Sequence, residues 1–305
     1  MKKLLMICLM FGLVLFYVNT VVGSTEGPPS SFFGDGAGSY ITTGESNSFF
    51  GVNAGHTTDT GSYNSFLGHS AGVNNTSGSN NTFVGEGAGA WNITANFNTF
   101  VGRIAGLGYV GTTGEDNTFV GYAAGLSYTT GSDNSFFGME SGHSNTSGNS
   151  NSFIGVNAGY SNTEGNDNTF IGRAAGYNNL TGNENTYIGR TAGGGNIGGS
   201  GNVCLGHRAG YNENGSNKLY IANTDTSEPL IYGEFDNQYL EVNGRLRVNS
   251  YIQLAVTGGS TPPSEDCDDQ SEYGRMLVDE INEGMYVCVS SGWALIKAAK
   301  LVKVK

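Results

Sequence analysis

Apolar and polar positions follow a fixed pattern through most of the chain. In nine of the eleven units, Asn is followed by Ser or Thr, an aromatic residue, a second large apolar residue and Gly, as in residues 81–85; the first unit begins with Ser30, and the last carries Val203 and Cys204. We call this last residue the anchor glycine; eleven of them run from Gly34 to Gly206. Successive anchors are 17 residues apart, except for 19 between Gly102 and Gly121. The two extra residues predict a surface loop there, because loops accept length changes that strands do not.

A period of 17 residues is too short for a repeat of two helices and is typical of one coil of a β-solenoid or β-roll. The Asn-Thr-Phe-Val stretch has the composition of a short strand, and the glycines supply turn conformations. Stacked strands lie about 4.8 Å apart, so Asn would lie on Asn and Phe on Phe. The pattern therefore predicts an all-β chain with a solenoid of eleven 17-residue coils.

Alternate residues of a strand point to opposite faces, so the two bulky residues of each unit separate. The more uniform of the two positions is predicted to fill the coil. This core column comprises Phe49, Phe66, Phe83, Phe100, Phe119, Phe136, Phe153, Phe170, Tyr187 and Cys204.

The other bulky position would leave a row of large apolar side chains in water, beyond the patch of about 300–600 Å² that a soluble monomer usually shows. Another copy of the chain is the simplest cover. Three rods around one axis would close with cyclic symmetry, and a dimer is the alternative that the sequence leaves open. The predicted oligomer interface comprises Val84, Val101, Val120, Ile154, Ile171, Ile188 and Leu205.

The 17-residue period fades after Gly206. Residues 217–250 are predicted to form a β-rich neck, in which Asn243-Gly244 between alternating apolar residues is typical of a two-residue hairpin turn. Residues 251–305 would form a linker and a small C-terminal β module. Cys267 and Cys288 in this module are predicted to form a disulfide, with two free thiols as the alternative.

The N-terminus has the features of a secretory signal. Lys2 and Lys3 precede an apolar run over residues 4–18, and small residues predict cleavage before Ser24. An uncleaved anchor helix is the alternative, although the run is shorter than the roughly 20 residues of a membrane span. The sequence thus divides into a signal peptide (1–23), a solenoid (24–216), the neck and the C-terminal module. The predicted location is extracellular or at the cell surface, with no membrane span after signal removal.

Charge and composition exclude several functions. The net charge of −12 argues against a nucleic-acid partner, because such affinity comes largely from Lys and Arg on phosphate. The four histidines lie in separate units and have no metal-ligand spacing. No carboxylate pair or nucleophile–base pair stands out, so we expect no metal, no cofactor and no enzymatic activity.

Repeats such as NTFVGYAAG and NTFIGRAAG, followed by GSNKLYIANTDTSEPLIYGEF and LEVNGRLRV, resemble bacterial and phage tail-fibre-like repeat proteins. The resemblance covers about residues 30–250. More distantly, the repeats are similar to the head repeats of trimeric autotransporter adhesins, which implies a parallel β-roll in a trimer. Those repeats are usually shorter, and the residues after 250 are too few for the self-cleaving chaperone domain of many tail fibres.

These features predict an exported structural fibre or adhesin, a rigid oligomeric rod that attaches to a surface through a glycan or protein ligand. Two other classes remain open. One is an ice-binding protein that uses the Ser/Thr column of the strands. The other is a glycan-cleaving enzyme on a β-solenoid, as in some phage spikes.

Overall fold

The computed structural model of the 305-residue chain describes residues 29–247, Asn249 and the segments 256–257, 276–279, 284–289 and 292–296. The predicted signal peptide and Cys267 lie outside the described residues. The chain divides into two compact units, one ending at Gly244 and the other beginning at Arg245. This boundary lies within the predicted neck, because most of the neck continues the sheet of the solenoid.

Each 17-residue unit contributes one strand of three residues, and every strand reads as a Ser, Thr or Val followed by two bulky residues. The strands pair in chain order, each parallel to the next. They are β1 (Ser31–Phe33), β2 (Ser48–Phe50), β3 (Ser65–Leu67), β4 (Thr82–Val84), β5 (Thr99–Val101), β6 (Thr118–Val120), β7 (Ser135–Phe137), β8 (Ser152–Ile154), β9 (Thr169–Ile171), β10 (Thr186–Ile188) and β11 (Val203–Leu205).

The register places each residue beside its equivalent in the next coil. Phe83 pairs with Phe100 across β4 and β5, and Phe100 pairs with Phe119 despite the longer unit between them. No helix occurs among the described residues. The prediction of an all-β parallel solenoid with about eleven coils of 17 residues is thus confirmed.

The structure buries the whole core column, with no member more than 1% exposed. From Phe49 to Tyr187 the rings stack at centroid distances of 4.7–5.0 Å and within 9° of parallel. Cys204 continues the column as a small apolar residue, and burial raises the pKa of its thiol to about 12. Stacked burial of this kind is the main apolar contribution that each coil makes to stability.

A buried Asn precedes each strand from β2 to β11, and its backbone N–H and side chain together link three coils. Asn64 shows the pattern. Its backbone N–H donates to Oδ1 of Asn47 at 2.9 Å, and its Nδ2 donates to the carbonyl of Gly78 at 2.8 Å. The side chains therefore satisfy backbone groups that the coil hides from water, which would otherwise be costly to bury.

A second buried Asn column lies seven residues after the anchor glycines. Asn162 is representative, because its Nδ2 donates to Oδ1 of Asn145 at 2.8 Å and to the carbonyl of Gly165 at 3.1 Å. Sequence reasoning missed this column. Its signal was an Asn in six of the eleven units at that position, namely Asn75, Asn92, Asn145, Asn162, Asn179 and Asn196.

The two-residue insertion forms the predicted surface loop, where Tyr109 is 56% and Val110 is 76% exposed. The same coil has no Asn at the second column. Tyr128 of the next coil fills the space: its ring is fully buried, packs edge-on against Phe100 and Phe119, and its hydroxyl donates to Oδ1 of Asn92 at 2.8 Å. Tyr128 thus fills the space that the missing Asn leaves in the coil with the insertion.

Turn geometry explains the anchor glycines. Gly85 has a φ of 137°, and a Cβ there would collide with the carbonyl oxygen of Gly102 in the next coil. The position two residues after the anchor also has a left-handed backbone, yet it often carries another residue type, such as Asn157 (φ 58°) or Thr191 (φ 55°). Asn tolerates this conformation, whereas a β-branched residue is strained in it.

Three longer strands follow the eleventh coil. The first, β12 (Lys218–Ile221), pairs parallel with β11; β13 (Ile231–Glu234) and β14 (Tyr239–Val242) continue the sheet antiparallel. The hairpin between β13 and β14 turns over residues 235–238.

The prediction of a hairpin turn at Asn243-Gly244 is therefore wrong, since residues 245–247 form no strand. The physical reason is that Asn243 is held by the segment before β13. Its N–H donates to the carbonyl of Leu230 at 3.0 Å, and its Nδ2 donates to the carbonyl of Pro229 at 2.9 Å.

In the second unit, β15 (Val256–Thr257) pairs parallel with β16 (Met276–Asp279), which is followed by antiparallel β17 (Gly284–Val289) and β18 (Gly292–Ile296). Cys288 is buried in β17. Because Cys267 lies outside the described residues, the disulfide between the two stays a prediction.

Replacing a central core ring should destabilise the rod strongly. Phe119→Ala removes a ring stacked on both sides, and we expect a loss of about 3–5 kcal/mol in the free energy of unfolding. Phe97→Ala is the matched control, because Phe97 is 56% exposed. It should change stability by less than about 0.5 kcal/mol in denaturant titration followed by circular dichroism. Similar losses for both variants would contradict the assigned core.

Exchanging residues at the strained turn position should move stability in opposite directions. Thr191→Asn relieves a β-branched residue in left-handed backbone and should stabilise the chain by about 1 kcal/mol. Asn157→Thr introduces the same strain two coils earlier and should destabilise the chain by a similar amount. Denaturant midpoints of both variants test this, and a gain from Asn157→Thr would show that the backbone is assigned wrongly.

Candidate interaction face

The strands present one continuous outer face to solvent, because the residues before and after each core residue point away from the coil. The last strand residues form what we call the apolar column, which runs along all eleven coils. Its members are Phe33, Phe50, Leu67, Val84, Val101, Val120, Phe137, Ile154, Ile171, Ile188 and Leu205.

Much of the apolar column is exposed in the single chain. Phe33, Phe50, Leu67 and Phe137 are 40–54% exposed. Of the predicted interface residues, Ile154, Ile171 and Ile188 are 37–44% exposed, and the others are half-buried: Val84, Val101, Val120 and Leu205. The structure therefore brings all seven into one row, on the face opposite to the core column.

A second strip widens this apolar surface, and sequence reasoning missed it. The residue after the anchor glycine is Tyr122, Met139 or Val156 in three successive coils, each between 37% and 46% exposed. These side chains lie beside Val120, Phe137 and Ile154 of the apolar column. The available signal was that this position also carries large apolar residues. A contiguous exposed patch of this kind marks an interaction site in soluble proteins.

The first strand residues supply hydroxyl groups alongside the apolar column. Ten of the eleven are Ser or Thr, and only β11 begins with Val. The column beside them mixes Phe with Val, Leu and Ile, so the combined surface is uneven. This unevenness disfavours a flat lattice match of the kind that ice binding needs.

The two borders of the outer face differ in charge from β5 to β10, whereas nearer β1 the second border carries the carboxylates of Asp35 and Glu86. Two residues before four of the strands lies an exposed carboxylate, and these form the acidic edge: Asp116, Asp133, Asp167 and Glu184. Two residues after three of the strands lies an exposed arginine, and these form the basic edge: Arg103, Arg173 and Arg190.

Only one arginine of the basic edge is paired within the described part of the chain. Arg103 contacts Glu86 of the preceding coil at 3.0 Å, with both side chains more than half exposed. Such an exposed pair contributes little to stability. Arg173 and Arg190 form no ion pair among the described residues and remain available to another molecule.

An aromatic stack lies five residues after the anchor glycines, outside the strand face. His143 stacks on Tyr160 at 4.7 Å, and Tyr160 stacks on Tyr177 at 5.1 Å. Partial burial lowers the pKa of His143 and raises the pKa of Tyr160. Because the rings largely cover one another, this stack presents edges rather than open faces to a ligand.

The described residues contain no group of three His, Cys, Asp or Glu side chains that could hold a metal ion. Among them, no helix is long and apolar enough to span a bilayer. A groove of about 620 Å³ lies beside Leu205, Ile221 and Leu230, where the last coil adjoins the neck. Glu228 is the one carboxylate among its lining residues.

Comparison with known proteins gave no relatives. No protein-family model matches the chain. No curated protein matches it in sequence. No solved structure matches it in fold. The outer face is therefore the feature from which we infer a function.

Proposed function

We propose that the protein is a non-enzymatic structural fibre or adhesin that is exported through its N-terminal signal. In this proposal, several copies pack their outer faces together into a rigid rod, which attaches to a surface through a glycan or protein ligand. The observation that carries it is the apolar column, of which seven members are exposed and four half-buried, while the coil interior is filled and its polar groups are mostly paired.

Energetic reasoning supports self-association. Burying one large apolar side chain contributes roughly 1.5–3 kcal/mol, and each chain presents seven members of the apolar column that are at least 37% exposed. The repeat gives every coil the same face, so a second copy of the chain matches it along its full length. We infer three chains around one axis, because cyclic closure hides the column of every copy.

The same geometry supports a stalk or attachment role rather than catalysis. Stacked rings and two Asn columns hold the coil rigidly, and no polar groups converge in a deep cavity of the described residues. The sides of the rod carry exposed turns rich in amides and hydroxyls, such as Asn178, along with ring edges, and these groups suit contacts with glycans or proteins.

A charge in the apolar column should disrupt the assembly. Ile171→Asp would place an unpaired carboxylate in the buried seam of every copy, so we expect the dissociation constant to rise at least about tenfold, equivalent to about 1.4 kcal/mol. Asn178→Asp adds the same charge at an exposed turn and should leave the mass of the assembly unchanged. Light scattering after size exclusion on residues 24–305 measures both.

The native chain must appear in this experiment at a multiple of its own mass. A native monomer at micromolar concentration would remove the basis of the proposed function. Equal effects of the two Asp variants would instead show that the seam has been assigned to the wrong face.

A further inference from the structure

In the coils of β9 and β10, the charge of the outer face changes from negative at one border to positive at the other. The row through β9 reads Asp167, Thr169, Ile171, Arg173, and the row through β10 reads Glu184, Thr186, Ile188, Arg190. Each row thus runs from a carboxylate through a hydroxyl and an apolar group to a guanidinium. Adjacent coils carry the same order, so the charges reinforce one another.

All four charged side chains are exposed, and none of them forms an ion pair within the described chain. The ion pairs among the described residues involve other groups: Arg103 with Glu86, Arg208 with Asp225, and Lys218 with Glu234. In the coils of β9 and β10, the carboxylates and the arginines therefore remain unpaired on opposite borders of the same face.

Symmetry decides how two such faces can meet. When rods lie parallel around an axis along their length, the acidic edge of each chain comes beside the basic edge of its neighbour, in a dimer as in a trimer. When rods lie antiparallel, related by a two-fold axis across their length, each edge meets its own kind. Full-length antiparallel overlap would set Asp116 against Asp116 of the other copy.

We propose that this face binds further copies of the same chain in parallel and in register, with Asp167 and Glu184 of one copy against Arg173 and Arg190 of the next. The inference rests on the self-association proposed above and adds the orientation and register of the copies. The apolar column favours contact between copies, but because every coil contributes an apolar residue to it, apolar contacts form in more than one register. Edge charges distinguish these registers, since opposite charges guide docking and like charges oppose it.

Exchanging the charges between the edges tests the pairing. The double variant Arg173→Glu/Arg190→Glu and the double variant Asp167→Lys/Glu184→Lys each set like charges together, so each should raise the dissociation constant at least about tenfold at low salt. The quadruple variant carries both exchanges and restores opposite charges across the seam. Its dissociation constant should lie within about threefold of that of the native chain.

Glu164→Lys is the matched control, because Glu164 is exposed on a turn outside the face. It should assemble like the native chain. Circular dichroism of every variant establishes that the solenoid is folded. Raising the salt concentration should reduce the differences in dissociation constant between the double variants and the native chain, because salt at 0.1 M screens exposed charges beyond about 10 Å.

Cysteine cross-linking reads the orientation independently. In parallel register, Ile188→Cys lies level with the same residue of the neighbouring copy, so mild oxidation should link chains that carry this one change. In full-length antiparallel overlap, residue 188 would lie level with Phe50, so only a mixture of Ile188→Cys and Phe50→Cys chains would link. The native chain, treated in the same way, gives the background.

The outcomes separate the two proposals. A monomeric native chain overturns both. If the native chain assembles, three results would overturn the parallel, in-register pairing while leaving self-association in place. The quadruple variant could stay as dissociated as the double variants, or the double variants could assemble like the native chain. The third such result is disulfide links that form only in the mixture of Ile188→Cys and Phe50→Cys chains.

Discussion

The structure depends on the requirement that every coil bury its backbone polar groups as well as its Phe ring. A 17-residue coil is too small to hold water inside, so side-chain amides must pair the hidden N–H and carbonyl groups. The side chain of Asn47 accepts from the backbone N–H of Asn64, and the side chain of Asn64 in turn donates to the carbonyl of Gly78 in the next coil. This demand fixes the register, and the register in turn places Phe on Phe and each apolar strand end on the next.

Filling the interior so completely has a consequence for the surface. Each strand has only three residues, and the middle one alone points inward. The remaining large apolar side chain of each unit is left on the outside, together with Tyr122, Met139 and Val156 beside it. Leaving such a face in water is unfavourable for an isolated chain, and this is the reason that we propose an assembled rod.

Much of this architecture could be predicted because the repeat makes many positions report the same environment. The core column and the outward apolar column follow from alternation in the strand and from the uniform size of the Phe position. Tyr128 could not be predicted, because its burial depends on the insertion in the preceding coil. The prediction of a hairpin turn at Asn243-Gly244 was wrong for a related reason. Asn243 bonds to the carbonyls of Pro229 and Leu230, which are distant from it in sequence.

Amide hydrogen exchange tests the central claim most directly, because the Asn column is its physical core. The backbone N–H groups of Asn98, Asn117, Asn134 and Asn151 each donate to a buried Asn side chain of the preceding coil. We expect them to exchange far more slowly than the amide of Val110, which is 76% exposed on the insertion loop. Exchange of the Asn amides within seconds, together with Val110, would contradict the account.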